Sequence, residues 1–353
     1  MTNRRQTRLK ELAAELGLSI TTVSRALAGY SDVAAATRER VAAAAVRLGY
    51  VPSRVGRMLV SGRTDFVGMV LPVREGRMID PFIGAFVTGL SEGLAAHGRD
   101  LFIGTVPGNR SELEVIKHIV ESARADALVL FRTEIEDARV AYLIDRRFPF
   151  ISHGRALAET RPYLWFDTDG EAAFAAAVRL LLELGHRDFA LLTVAEPYSF
   201  AALRRRGAET ALAAAGLTIP PGAVASVPMF DRDAALAASG RLLDLSPRPS
   251  AVLCVIDTLA LAFLEAAESL SVSVPEDVSV IGFDDVPVSS YSRPPLSTFD
   301  QRARQSANEV ADMIIAALAK SAEAVEPRLA QATFMARGSH GPAPQSRRRV
   351  AAA

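Results

Sequence analysis

The spacing of apolar positions changes once along the chain, and the change divides it. Up to about Leu48 the spacing is helical: Leu9, Leu12, Ala13 and Leu16 share a face, Gly17 interrupts, and Ser19 opens a second short helix that turns Val23, Ala26 and Leu27 inward. Two short helices joined by a glycine turn predict a helix-turn-helix. A third helix is expected from about Ala35 to Leu48, with Val41, Ala44, Ala45 and Leu48 on one face, until Pro52 stops it; the segment from Ser53 to Val60 then leads to Gly62.

From Asp65 the pattern becomes one of short apolar runs that suit buried parallel strands: Phe66 to Leu71, Asp100 to Thr105, Ala127 to Leu130, Phe150 to Ser152, Phe189 to Thr193, Ala251 to Val255 and Val278 to Phe283. Amphipathic helical stretches separate them, at Phe86 to His97, Leu113 to Ala123, Ala172 to Leu184, Leu203 to Ala215, Ala234 to Leu245 and Leu259 to Leu270. Alternation of this kind predicts an α/β domain with right-handed crossovers. The pattern runs twice, once before and once after Trp165, so two doubly wound parallel-sheet subdomains are expected, with ligands held at the strand C-termini between them. The expected domains are a helix-turn-helix head over 1–52, a hinge and linker over 53–63, a core over 64–338 and a disordered tail over 339–353. Within the core the first subdomain takes about 64–165 plus about 296–326, and the second about 166–295 plus about 327–338.

Charge sharpens this division. The 353 residues hold 40 basic and 40 acidic side chains, yet residues 1–63 carry eleven basic against four acidic ones, an excess of seven positive charges. Residues 64–338 carry ten more acidic than basic side chains. A basic head on an acidic core predicts that the head alone meets an anionic polymer, with steep salt dependence where phosphates dominate. The single cysteine, Cys254, excludes an intramolecular disulfide and fits a reducing compartment. Neither a leader-like apolar run behind the first arginines nor a long uncharged span is found, so a cytoplasmic protein without a membrane partner is expected.

Catalytic patterns are missing. There is no GxGxxG, Walker, GxSxG or HExxH motif, and the neighbouring carboxylates of Asp284 and Asp285 at a strand end point apart, so no enzyme, metal site or cofactor is expected. A solute-binding protein would share the core pattern but not the basic head.

The stretch from Leu16 to Leu27 (LGLSITTVSRAL), Thr37-Arg38-Glu39-Arg40-Val41, Leu48-Gly49-Tyr50-Val51-Pro52 and Ile281-Gly282-Phe283-Asp284-Asp285, in this order and spacing, resemble the lactose-repressor and galactose-repressor type of bacterial transcription regulator. The match runs to about Gly338. It implies a homodimer on a double-stranded DNA operator, controlled by a small molecule in the core cleft. Ser19 is placed to cap the recognition helix, so that Ile20 and Thr21 meet base edges, Thr22, Ser24 and Thr37 address phosphates, and Arg25 reads a guanine. Ala28 and Ala34 stand where the family has polar residues, which weakens the phosphate grip unless Ser31 or Asp32 caps a longer third helix. In the segment resembling the hinge helix, Arg54 and Arg57 follow the DNA and Leu59 is the wedge. Gly56 replaces the usual alanine, so the hinge is expected to depend more on DNA for its helicity.

For the cleft, the resemblance implies Arg204 and Asp284 as the charged pair that grips paired hydroxyls and Phe230 as the ring covering a sugar face. Phe82 and Ile83 form the apolar lip. Asp169, Asp257, Gln301 and His153 complete the expected effector set, although Gly170 and Ile256 stand where amide side chains are common. These residues favour a sugar that releases DNA; a nucleobase or other non-sugar co-repressor is the alternative. The tail arginines, Arg347, Arg348 and Arg349, add weak attraction for DNA, and no leucine heptads announce a tetramer.

Overall fold

The computed structural model describes residues 9–27, 30–50, 62–71, 81–319 and 325–344 and divides into two compact units, Met1–Asp65 and Phe66–Ala353. The hinge candidates Arg54, Arg57 and Leu59, together with Gly56 and Ala28, lie outside the described residues.

In the first unit, α1 (Leu9–Leu16), α2 (Ile20–Leu27) and α3 (Ala35–Leu48) pack around Leu12, Val23, Val41 and Ala44. Each apolar face holds only two or three buried side chains, so the helices depend on one another for burial. Ala34 precedes α3 without a capping side chain, so neither Ser31 nor Asp32 extends that helix. Arg38 instead reaches back from the first turn to the carbonyls of Val33 and Tyr30 and fixes the entry loop.

The second unit contains two parallel sheets. The first has the strand order β11-β5-β4-β3-β1-β2, formed by β1 (Phe66–Leu71), β2 (Asp100–Thr105), β3 (Ala127–Leu130), β4 (Phe150–His153), β5 (Trp165–Thr168) and β11 (Arg328–Ala330). The second runs β7-β6-β8-β9, from β6 (Phe189–Val194), β7 (Val224–Val227), β8 (Ala251–Cys254) and β9 (Ser279–Ile281). An antiparallel pair, β10 (Thr298–Asp300) and β12 (Thr333–Met335), accompanies two of the crossings between the halves. The helices of the first half are α4 (Pro81–Ala96), α5 (Glu112–Glu121), α6 (Ala138–Asp145) and α11 (Ala303–Leu318), and those of the second are α7 (Gly170–Glu183), α8 (Ser199–Ala214), α9 (Arg232–Leu243) and α10 (Asp257–Ser269). The architecture is that of a periplasmic-binding-protein-like core. Helices α4 and α11 approach closely because Gly89 has no side chain: a Cβ there would sit 2.1 Å from the Arg304 carbonyl oxygen.

Two boundaries differ from the expected ones. Strand β5 pairs with β4 and β11, so residues 165–168 and 328–330 belong to the first sheet. The expected tail begins too early, because residues 339–344 are packed on the second half. Ser339 is buried and bonded to Val280 and Ser297, and the buried His186 holds the Gly341 carbonyl at 2.9 Å. His186 therefore anchors this segment in the core.

Candidate functional site

In the head, Ser19 Oγ accepts the Thr22 amide at 3.0 Å and bonds the Thr22 hydroxyl at 2.8 Å, which fixes the start of α2. Ile20 presents 47% of its surface, Thr21 and Arg25 are exposed, and Thr22, Ser24 and Thr37 are half-buried. Arg25 is already engaged: it pairs with Asp32 and lies over the Tyr30 ring, 4.8 Å from its centroid. To read a base it must leave Asp32.

In the core, the strand ends of the first half build an aromatic box. His153, the last residue of β4, stacks on Phe131 at 5.3 Å and on Phe166 at 5.9 Å between centroids, with Phe86 edge-on and Phe82 at 6.0 Å. Its Nε2 is buried without a hydrogen-bond partner. Burial, then the nearby Arg204 charge, push its pKa down to about 3, so the ring is neutral at physiological pH.

Arg204 projects from α8 and is buried; its guanidinium carbon lies 3.6 Å from the Phe283 centroid and 4.8 Å from that of Phe200. One terminal nitrogen donates to the Val255 carbonyl, while Nε has no partner. Burial draws its pKa down to about 10, opposed by the carboxylates of Asp284, Asp167 and Asp257. It keeps its charge at neutral pH. Gly170 makes the room for it, since a Cβ there would meet Arg204 Cγ at 2.9 Å and Nε at 3.1 Å. Where an amide side chain was expected as a ligand contact, this chain has placed its arginine.

Asp284 accepts from the Gln301 side chain at 2.6 Å, and its backbone holds φ +123°, a conformation that L residues adopt only under constraint. With Pro81, Phe82, Asp285 and Arg302 it lines a cavity of about 590 Å³ at the seam of the halves. Phe82, His153, Arg204, Asp284 and Gln301 thus share one neighbourhood. Ile83 is buried in the core of the first half. Phe230 lies on the second half with φ +69°, and the guanidinium of Arg132 covers its ring at 4.6 Å.

Two expected contacts serve the fold. The Asp169 carboxylate caps α7 by accepting the Ala172 amide at 2.9 Å. Asp257 is wholly buried and accepts the Val286 amide at 3.0 Å and the hydroxyls of Ser289 at 2.7 Å and Thr298 at 2.6 Å. With three donors met inside the protein, Asp257 clamps the loop after β9. Reading the sequence missed Arg132, Phe131, Phe166 and the Arg155–Asp167 pair at 2.8 Å, because each acts through neighbours distant in the chain. An arginine directly after an apolar strand, as in Leu130-Phe131-Arg132, was the available signal.

A helix-turn-helix head joined to a core with two sheets and a charged, aromatic seam defines a DNA-binding regulator with a sensor domain. Residues 8–53 match the model for bacterial regulatory proteins of the lacI family, and residues 178–340 match the periplasmic binding protein-like domain. The chain is 34% identical to the HTH-type transcriptional regulator AglR of Rhizobium meliloti, over 95% of both chains, and 32% identical to CelR of Thermobifida fusca, over 89% of this chain and 93% of that one. A solved complex of the transcriptional regulator CelR with cellobiose superimposes with a TM-score of 0.72 at 28% identity, covering 95% of this chain and all of that one. The chain belongs to the lacI family and is a DNA-binding transcriptional regulator. Among the described residues no helix is long and apolar enough to cross a membrane.

Proposed function

We propose that this regulator is a homodimeric, cytoplasmic repressor whose grip on a pseudo-palindromic operator is released by a small neutral carbohydrate bound between the core halves. The observation that carries the reading is the pairing of two buried, incompletely bonded polar groups, Arg204 Nε and His153 Nε2, with an aromatic lining. A buried polar group without a partner costs about 1–3 kcal/mol, and ligand hydroxyls supply such partners while aromatic faces cover the apolar faces of a sugar ring. The CelR complex with cellobiose supports the same ligand class.

In this reading Arg204 donates to ligand hydroxyls and Asp284, held by Gln301, accepts from them. His153, neutral at physiological pH, gives or takes one hydrogen bond without adding charge. Phe82 and Phe230 flank the ring. Ile20, Thr21 and a released Arg25 read bases, while Ser19, Thr22, Ser24 and Thr37 hold phosphates. Arg54 and Arg57 follow the DNA, and Leu59 enters the central base step. The ligand changes the angle between the halves and so the spacing of the two heads, which is allosteric only to the extent that it binds the DNA-free state more tightly. Thermal denaturation with a panel of disaccharides, monosaccharides and nucleobases tests the ligand class. A rise in Tm with a sugar is expected, and a response to nucleobases alone refutes the sugar reading.

A further inference from the structure

A seam distinct from the crossing segments joins the halves on the cleft side. After β3, Thr133 to Ile135 run antiparallel to Pro197 to Ser199, with a β-bridge between Glu134 and Tyr198. The Ile135 amide donates to the Pro197 carbonyl at 2.9 Å, and the Ser199 amide and hydroxyl both donate to the Thr133 carbonyl, at 3.0 and 2.9 Å. Arg132 opens this stretch, and its guanidinium lies across the cleft on Phe230. Both residues hold left-handed backbones, with φ +53° and +69°. Such geometry persists in non-glycine residues only where surrounding contacts fix it. One such contact is visible: the buried Arg139, itself paired with Asp137 and Glu112, donates to the Arg132 carbonyl at 3.0 Å.

We infer that Arg132 is the latch of the cleft, holding the seam closed by occupying the face of Phe230. Arg132 covers the ring that the sugar reading assigns to ligand, so a ligand that uses the same face of Phe230 must first lift the arginine and loosen the seam. The inference rests on that reading for the ligand alone; the latch itself is a property of the free protein. A cation over an aromatic ring accounts for about a 2- to 30-fold population difference, depending on solvation.

Hydrogen exchange of the full chain without added ligand tests it. In Arg132→Ala and in Phe230→Leu, exchange of the Ile135 and Ser199 amides should accelerate about 2- to 30-fold. The double variant should be no faster than the faster single one, and Arg132→Lys should restore part of the protection. Unchanged exchange at both amides, or effects that multiply in the double variant, would overturn the latch, as would equal acceleration within β3 and β6, which would mean that the pair supports the whole fold. Because no sugar is present, the latch can fail while the sugar reading stands, and the reverse.

Discussion

Gly170 and Arg204 share a space that a single side chain can fill. With a Cβ on residue 170 only 2.9 Å from Arg204 Cγ, the arginine folds into the core because its neighbour has no side chain. The buried charge, its stacking on Phe283 and its unpartnered Nε all follow from that choice.

Gly170→Ala should therefore displace Arg204 and lower stability by about 1–3 kcal/mol, the usual cost of overpacking. It should also remove any sugar-induced rise in Tm. Urea denaturation and the ligand panel check the two effects separately.

His153 gives a pH signature. Its pKa falls from the usual 6.5 to about 3 on folding, so between those values the unfolded chain binds a proton that the native chain does not. Its stabilising contribution is complete above about pH 6.5 and is lost as pH falls toward 3. His153→Phe should flatten the rise of stability between pH 4 and 6 by close to one proton, read from urea unfolding across pH. An unchanged slope would show that the imidazole titrates normally.

Asp257 was read from the sequence as a ligand contact, and the structure makes it a clamp. Asp257→Ala strands three neutral donors, so unfolding free energy should drop by about 1–3 kcal/mol for each that finds no new partner. The pattern of responses among sugars in the panel should stay the same. Denaturation and ligand profiles of one preparation report both.

Arg25 is held by Asp32 in an exposed pair, which is worth about 0.2–1 kcal/mol. Asp32→Ala frees the arginine and removes a negative charge beside DNA, so operator affinity should rise about 2- to 10-fold, with a larger gain at low salt. Fluorescence anisotropy at two salt concentrations measures it.

The sequence displayed the head and most of the sheets because their signals are local: Ser19 three residues before Thr22, and apolar runs such as Phe66–Leu71. It hid α6 and β5, at eight and four residues, where one or two turns give little periodicity. Helix α11 went unpredicted although Ala307, Val310, Ala311 and Ile314 share one face, because it follows a strand of only three residues. Of the candidate site, Arg204 and Asp284 were proposed from their motifs, whereas the box around His153 joins α4, the residue after β3, β4 and β5 and exists only once the first sheet has formed. The clamp at Asp257 was hidden for the same reason: its donors come from residues 29 to 41 positions away.

The central claim is that Arg204 couples a neutral sugar to release of DNA. The direct measurement is anisotropy of the full chain on an operator selected from a randomised pool, titrated with the sugar and nucleobase panel, for the native protein and Arg204→Ala. The account predicts that a sugar weakens operator binding by the native protein about 5- to 150-fold and leaves the variant's binding unchanged. Release of both proteins by the same sugar, or a response to nucleobases alone, would contradict it.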